Sequence, residues 1–259
     1  MERLSVRPTE ERVVVSKFAV ILPAAGKSSR FRDKHYKKPF APLAGKPVWL
    51  HSAERFLARG DVMQVLVVIS PEDREEFDRK FAANVMILGI DVVNGGEERA
   101  DSIQNALARV KPDIDFIAVH DAARPCIADE WIGRVFEAAE KCDAAILALP
   151  IAATLKRVDH GNIQETVSRA NLWEAQTPQV FKRQLLLDAY AARAGFQATD
   201  DAQLVERLGR KVAVVTGSPI NLKITTQEDL RFAEHALKAL PKPKSFGPAH
   251  PFADDDMWK

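Results

Sequence analysis

Short apolar runs alternate along this chain with stretches whose apolar positions recur at helical spacing. Residues 18–22 are wholly apolar and read as a strand buried on both faces of a parallel sheet. Runs over 64–69, 116–119 and 144–149 repeat that pattern, and 85–93 reads as a further strand. Between the runs lie helical signals. Val48, Leu50, Ala53, Phe56 and Leu57 form an apolar stripe behind Pro47, a residue suited to a first helical turn. Ser70-Pro71 followed by Asp73 reads as a helix start. A helix is expected from the Gly95-Gly96 turn to about Val110, and another over 129–141 with acids in its first turn. Strand followed by helix, repeated, predicts an α/β fold with a doubly wound, mostly parallel, Rossmann-like sheet.

The pattern breaks after Pro150. Residues 151–171 are polar, with β-like pieces at 154–158 and 163–167 around the turn Asp159-His160-Gly161-Asn162, which predicts a projecting β-arm over about 151–172. The α/β rhythm returns at 178–181, with a helix over 182–193, a helix start at Thr199-Asp200-Asp201 and a strand at 211–215. Thr226 to Asp229 reads as a capping box opening a last helix to about Leu240. The expected organisation is an extension at 1–16, a single domain at 17–240 bearing the arm, and a tail at 241–259 whose proline and charge content predicts disorder.

Composition narrows the function. A net charge of +1 gives no general nucleic-acid footprint. Cys126 and Cys142 have neither metal-site spacing nor a disulfide framework, and no His/Cys cluster suggests zinc. Residues 1–11 mix Arg and Glu without the apolar centre of a secretory signal, and no run approaches a membrane span. A cytoplasmic location without membrane partners is the expectation.

The chemically rich segments follow the first, third and fourth strands, at the carboxyl edge where such sheets bind ligands. Pro23-Ala24-Ala25-Gly26 lets the backbone approach a ligand closely, and Lys27, Ser28, Ser29 and Arg30 follow, a combination suited to polyphosphate. It is no dinucleotide fingerprint, since G-x-G-x-x-G is absent, and no Walker A loop, since Gly45-Lys46 is followed by Pro47. The cations of residues 30–38 either sit in a solvated loop or close over a phosphate-rich ligand. Arg30, Lys38, Asp121, Arg124 and Lys223 gather near this edge without a nucleophile–base pair. Ser28 and Ser29 lack a partner histidine, and His120 reads as a structural hydrogen-bonder rather than a base. Cations with scattered acids suit phosphoryl or nucleotidyl transfer, which needs positioning and charge neutralisation more than proton transfer.

The segments Pro23 to Gly26 with Arg30, Gly95 to Ser102, His120-Asp121-Ala122-Ala123-Arg124-Pro125, Leu172 to Gln179, and Asn221 to Thr225 together resemble the 2-C-methyl-D-erythritol 4-phosphate cytidylyltransferase family, over about residues 18–240. The resemblance implies a fold of the nucleotide-diphospho-sugar transferase type. It implies a reaction in which the phosphate of methylerythritol phosphate attacks the α-phosphorus of CTP and pyrophosphate leaves. It assigns Arg30, Lys38 and Lys223 to catalysis. Pro23, Ala24, Ala25, Gly26, Gly96, Glu97, Ser102 and Asp121 would bind CTP. Asp121, Arg124, Thr154, Arg169 and Thr177 would bind the polyol phosphate. Mg²⁺ would bridge the phosphates, with Asp121 a candidate ligand. The arm would exchange across a homodimer, with Arg169 and Thr177 serving the neighbouring subunit. The chain departs from the family pattern in four places: Glu97 replaces a common Asp, Pro39 follows Lys38 where Gln is usual, Lys37 competes with Lys38 for the triphosphate role, and Arg169-Ala170-Asn171 stands where an Arg-Asn or Arg-Asp pair commonly precedes the Leu-Trp. The alternatives are a cytidylyltransferase for another polyol phosphate, such as ribitol 5-phosphate, and a nucleotide-binding module without turnover. The presence of Arg30, Lys38 and Lys223 disfavours the second.

Overall fold

The computed structural model describes residues 15–26, 31 and 36–241. The extension to residue 14, residues 27–30 and 32–35, and the tail from 242 lie outside the described residues, and Arg30 is among them.

In chain order the elements are β1 (Phe18–Pro23), β2 (Pro42–Leu43), β3 (Lys46–Pro47), α1 (Val48–Leu57), β4 (Val62–Ile69), α2 (Arg74–Leu88), β5 (Asp91–Asn94), α3 (Arg99–Leu107), β6 (Phe116–Val119), α4 (Asp129–Cys142) and β7 (Ala144–Pro150). The arm follows as β8 (Leu155–Asp159) and β9 (Asn162–Val167), then β10 (Trp173–Lys182), α5 (Arg183–Ala191), α6 (Asp201–Arg207), β11 (Ala213–Thr216) and α7 (Gln227–Lys238). The main sheet has seven strands in the order β11-β7-β10-β6-β1-β4-β5. β1 runs parallel to β4 and β6, β4 to β5, and β7 to β11. β10 is antiparallel to both β6 and β7, which makes the sheet mixed but mostly parallel.

The apolar run of β1 is explained by two helical layers. Phe18, Val20 and Leu22 pack with Trp49, Phe56, Phe77 and Phe136 from α1, α2 and α4. Ala19 and Ile21 pack with Ile103, Leu107, Leu186 and Leu204 from α3, α5 and α6. Successive strand residues face opposite sides, so a strand covered on both sides must be apolar throughout. A smaller cluster of Phe31, Leu43, Val48, Ile224 and Ala233 docks α7 and the chain before it beside the β2–β3 hairpin.

Two expectations need correction. Residues 85–88 are not strand but the last turn of α2, which ends at Gly89 in a left-handed conformation (φ 64°). Phe81, Val85 and Leu88 pack on the core at helical spacing, while Met86 and Ile87 are exposed. A consecutive apolar run therefore concealed a one-sided helix, and the strand is only Asp91–Asn94. The strand expected near 178–181 is longer and antiparallel, with a register break between Ala175 and Gln179. The arm forms the expected hairpin, offset by one residue at each strand's start.

Candidate active site

At the carboxyl ends of β1, β4, β5 and β6 lies a cleft of about 960 Å³. Its wall includes Pro23 to Gly26, Lys38, Ser70, Gly95 to Arg99, Ser102, Asp121 and Lys223. The turn after β1 is held by the Ala24 N–H, which donates to the Val68 carbonyl at 2.8 Å, and the turn after β5 by the Gly95 N–H, which donates to the Ile69 carbonyl at 2.8 Å. The turn after β5 packs so closely that side chains are excluded at both of its glycines. A Cβ on Gly95 would lie 2.8 Å from the Ala25 Cβ and 2.9 Å from the Ser102 Oγ, and one on Gly96 would lie 2.4 Å from the Asp101 Cβ. The Gly96 N–H donates to the Ser102 Oγ at 3.1 Å, and Glu98 with Asp101 forms a capping box at the start of α3. The cleft wall is thus continuous with a helix N-terminus, a favourable place for anions.

The floor is a buried charge cluster. Asp121, two residues beyond the end of β6, lies 2.7 Å from the Lys223 Nζ and 3.6 Å from the Arg124 Nε. Burial alone would raise its carboxyl, but the charges of Lys223, Arg99 and Arg124 hold it well below the usual carboxylate range. Asp121 is therefore an anion at neutral pH. The Lys223 side chain remains 40% exposed, so it spans the buried carboxylate and the open cleft. Arg124 is fixed from behind, where its Nη1 donates to the Asn221 carbonyl at 2.7 Å. The Asn221 Nδ2 donates to the Thr177 carbonyl at 2.9 Å, which ties the segment carrying Lys223 to β10.

His120 is a structural element, as its strand-end position suggested. Its Nε2 lies 3.1 Å from the Arg124 carbonyl, which can only accept, so the proton sits on Nε2. Its Nδ1, 3.1 Å from the Thr177 Oγ1, then accepts from that hydroxyl. The Thr177 oxygen in turn accepts from the Asp121 N–H at 3.0 Å. Complete burial pushes the imidazole down to about 4, which keeps it neutral.

The structure gathers Pro23, Ala24, Ala25, Gly26, Lys38, Gly96, Glu97, Ser102, Asp121 and Lys223 around one cleft. It separates Lys37 from Lys38: Lys37 Nζ pairs with Glu72 at 2.7 Å and Asp73 at 2.8 Å, while Lys38 lines the cleft. Arg124 and Thr177 are buried behind Asp121 rather than on the wall. The resemblance assigns Thr177 to a neighbouring subunit's site. Thr177 belongs to β10, and its hydroxyl is committed to His120 and Asp121 of its own chain. Thr154 and Arg169 are exposed at the arm, line no part of the cleft, and the Arg169 Nη1 donates to the Ala152 carbonyl. Arg99 was missed as a wall residue. Its partner Asp201, fully buried, was read only as part of a helix start, although the cap is made by Asp200. Among the described residues, no group of three or more His, Cys, Asp or Glu could hold a metal.

Comparison with known proteins adds to this geometry. The family model for 2-C-methyl-D-erythritol 4-phosphate cytidylyltransferase matches residues 18–239. A protein of that name from Rhodopirellula baltica is 45% identical over 230 residues, covering 85% of this chain and 94% of the relative. One from Bacillus pumilus is 38% identical over 225 residues, covering 86% of this chain and 97% of the relative. The crystal structure of 2-C-methyl-D-erythritol 4-phosphate cytidylyltransferase from Thermus thermophilus superimposes with a TM-score of 0.70 at 33% identity, covering 86% of this chain and 99% of that one.

The His120 environment makes a prediction. Its folded pKa lies below the ordinary 6.5, so stability is complete above that value and falls as pH drops towards 4. With one pKa unit worth about 1.4 kcal/mol, the loss amounts to roughly 3 kcal/mol. Ring nitrogen shifts should report the neutral Nε2–H form at pH 5.5. Protonation with a midpoint near 6.5 would contradict the assignment.

Proposed function

The chain belongs to the 2-C-methyl-D-erythritol 4-phosphate cytidylyltransferase family, and on that premise we propose that this cleft holds CTP with its phosphates beside Asp121 and Lys223. The enzyme transfers the cytidylyl group of CTP to 2-C-methyl-D-erythritol 4-phosphate in isoprenoid biosynthesis. A phosphate oxygen of the acceptor forms a bond to the α-phosphorus of CTP. The bond from that phosphorus to the bridging oxygen breaks, and pyrophosphate leaves with the electron pair. Family membership selects this acceptor over ribitol 5-phosphate.

The observation that carries the reading is the pair of lysines, Lys38 and Lys223, lining a cleft with no histidine or cysteine in its described lining. A phosphate monoester is already an anionic nucleophile, so the site must neutralise charge rather than remove a proton. Lys38 and Lys223 stabilise the charge that accumulates at the α-phosphoryl group and on the leaving pyrophosphate. Arg30 belongs to the same reading from outside the described residues. Pro23, Ala24, Ala25 and Gly26 pass their backbone close to the triphosphate, and Gly96, Glu97 and Ser102 receive the base and ribose. Asp121 keeps Lys223 aimed at the reacting phosphate. Arg124, with Thr177 bracing the same floor, supports the acceptor phosphate.

Mg²⁺ fits this donor set in a limited way. Asp121 is an ionised oxygen donor in the cleft, and Mg²⁺ commonly takes one or two carboxylates together with substrate phosphate oxygens. When bound, the ion would add charge neutralisation at the phosphates. Asp121 is the residue that would hold it.

The arm supports a homodimer. Val158 and Ile163 on its strands are 56% and 64% exposed, and Leu172 and Trp173 at its base are 41% and 45% exposed. Covering those side chains with a second copy would bring Thr154 and Arg169 to that copy's acceptor phosphate, where the planar guanidinium can grip two oxygens. A cytoplasmic location belongs to this reading because CTP is an intracellular nucleotide.

Lys223→Ala should lower kcat by on the order of 10²–10³ in a folded variant. An unchanged kcat in steady-state pyrophosphate release would remove Lys223 from the chemistry. Arg169→Ala and Lys38→Ala homodimers should each be impaired, while mixing them should restore activity in heterodimers that pair one intact site. Absence of recovery in isolated mixed dimers would contradict the exchange.

A further inference from the structure

The wall that runs from Gly95 to Ser102 is held from outside the cleft by a pair of crossed ion pairs. The Arg99 Nη2 on α3 lies 2.6 Å from the Asp201 Oδ2 at the start of α6. In the opposite sense, the Arg193 Nη2, just beyond α5, lies 2.6 Å from the Asp101 Oδ1 on α3. Each guanidinium reaches a carboxylate on the other's segment, so the first turn of α3 is fixed in two places.

Both anchors are themselves fixed. Asp201 is wholly buried and accepts from the Tyr190 hydroxyl at 2.5 Å. The Asp201 and Ala202 N–H groups donate to the Gln179 Oε1 at 3.1 and 3.0 Å, and the Gln179 Nε2 donates to Asp200 at 2.8 Å, which pins the start of α6 to β10. On the other side, the Asp101 Oδ2 accepts the Glu98 N–H at 3.1 Å. A displacement of Asp101 therefore moves the Gly95–Glu98 turn directly. Replacing a buried ion pair by packed apolar groups is often neutral or stabilising, so such a pair is weak evidence of a stability role. What these pairs supply specifically is direction: they aim Arg99 and set the backbone of the turn.

We propose that Asp201, Arg193 and Tyr190 are positioning residues for the nucleotide-base side of the cleft, acting through Arg99 and Asp101 to set affinity for CTP and discrimination against other nucleoside triphosphates. The proposal rests on the reading that CTP lies against the Gly95–Ser102 wall.

The experiment compares Arg193→Gln, Tyr190→Phe and Asp201→Asn with Ser102→Ala, a change in the wall itself. KM for CTP and for methylerythritol phosphate, kcat, and the CTP-over-UTP preference are measured on variants whose folding is verified by circular dichroism. Loosening the wall should raise KM for CTP on the order of tenfold and lower the CTP-over-UTP ratio, with kcat at saturating CTP and the acceptor KM within about twofold. Arg193→Lys should recover most of the loss. Should Asp201→Asn fail to fold, Arg193→Gln decides, because its pair lies nearer the surface. A raised CTP KM in Ser102→Ala together with an unchanged one in Arg193→Gln and Tyr190→Phe overturns the positioning role alone. An unchanged CTP KM in Ser102→Ala overturns the placement of the nucleotide and the proposal with it. Equal losses in kcat and both KM values that track melting temperature would mark the ion pairs as structural only.

Discussion

A carboxylate in a buried setting is unfavourable unless cations surround it, and Asp121 imposes that requirement on the whole carboxyl edge of the sheet. Lys223, Arg99 and Arg124 meet it: Arg124 lies three residues along, while Lys223 and Arg99 come from other segments of the chain. Lys223 arrives on the segment before α7, which must dock through Ile224 and Asn221. Arg99 arrives on α3, which must be held against the α5–α6 layer. Arg124 is drawn back to the Asn221 carbonyl. Removing one partner of such a buried pair typically costs about 3–5 kcal/mol. The cluster is therefore both a folding constraint and the source of the positive field that a triphosphate would meet.

The same arrangement explains why the described residues of the site hold no acid–base dyad. His120 is close to Asp121 in sequence but is locked neutral between the Arg124 carbonyl and the Thr177 hydroxyl. It orients the floor and stays neutral at neutral pH. With an anionic acceptor phosphate as nucleophile, preorganised cations are the main requirement of the reaction, and the fold supplies them on segments braced by buried hydrogen bonds.

Much of the architecture was legible because local signals and tertiary environment agree. The bounds of β6 follow from its apolar run, and β1 was apolar because helices cover both faces. The Gly95-Gly96 pair announced a tight turn, and a Cβ at either position would lie under 3 Å from a neighbouring side chain. Legibility failed where long-range partners decide. Residues 85–88 looked like a strand because only tertiary packing distinguishes Val85 and Leu88 from the exposed Met86 and Ile87. The antiparallel direction of β10 has no local signature. Lys37 and Lys38 are adjacent and chemically alike, and the acids Glu72 and Asp73 sort them. Arg99 finds Asp201 across 102 positions of sequence, a pairing invisible to any local pattern. The hydrogen bond from the Asp121 N–H to the Thr177 hydroxyl joins positions 56 apart and has no local signature either.

The most direct test of the account is a crystal structure of the protein with a non-hydrolysable CTP analogue and Mg²⁺. The account predicts the triphosphate between Lys38 and Lys223 above Asp121, with cytosine against the Gly95–Ser102 wall. A nucleotide bound away from Lys223, or with its base outside that wall, would contradict it.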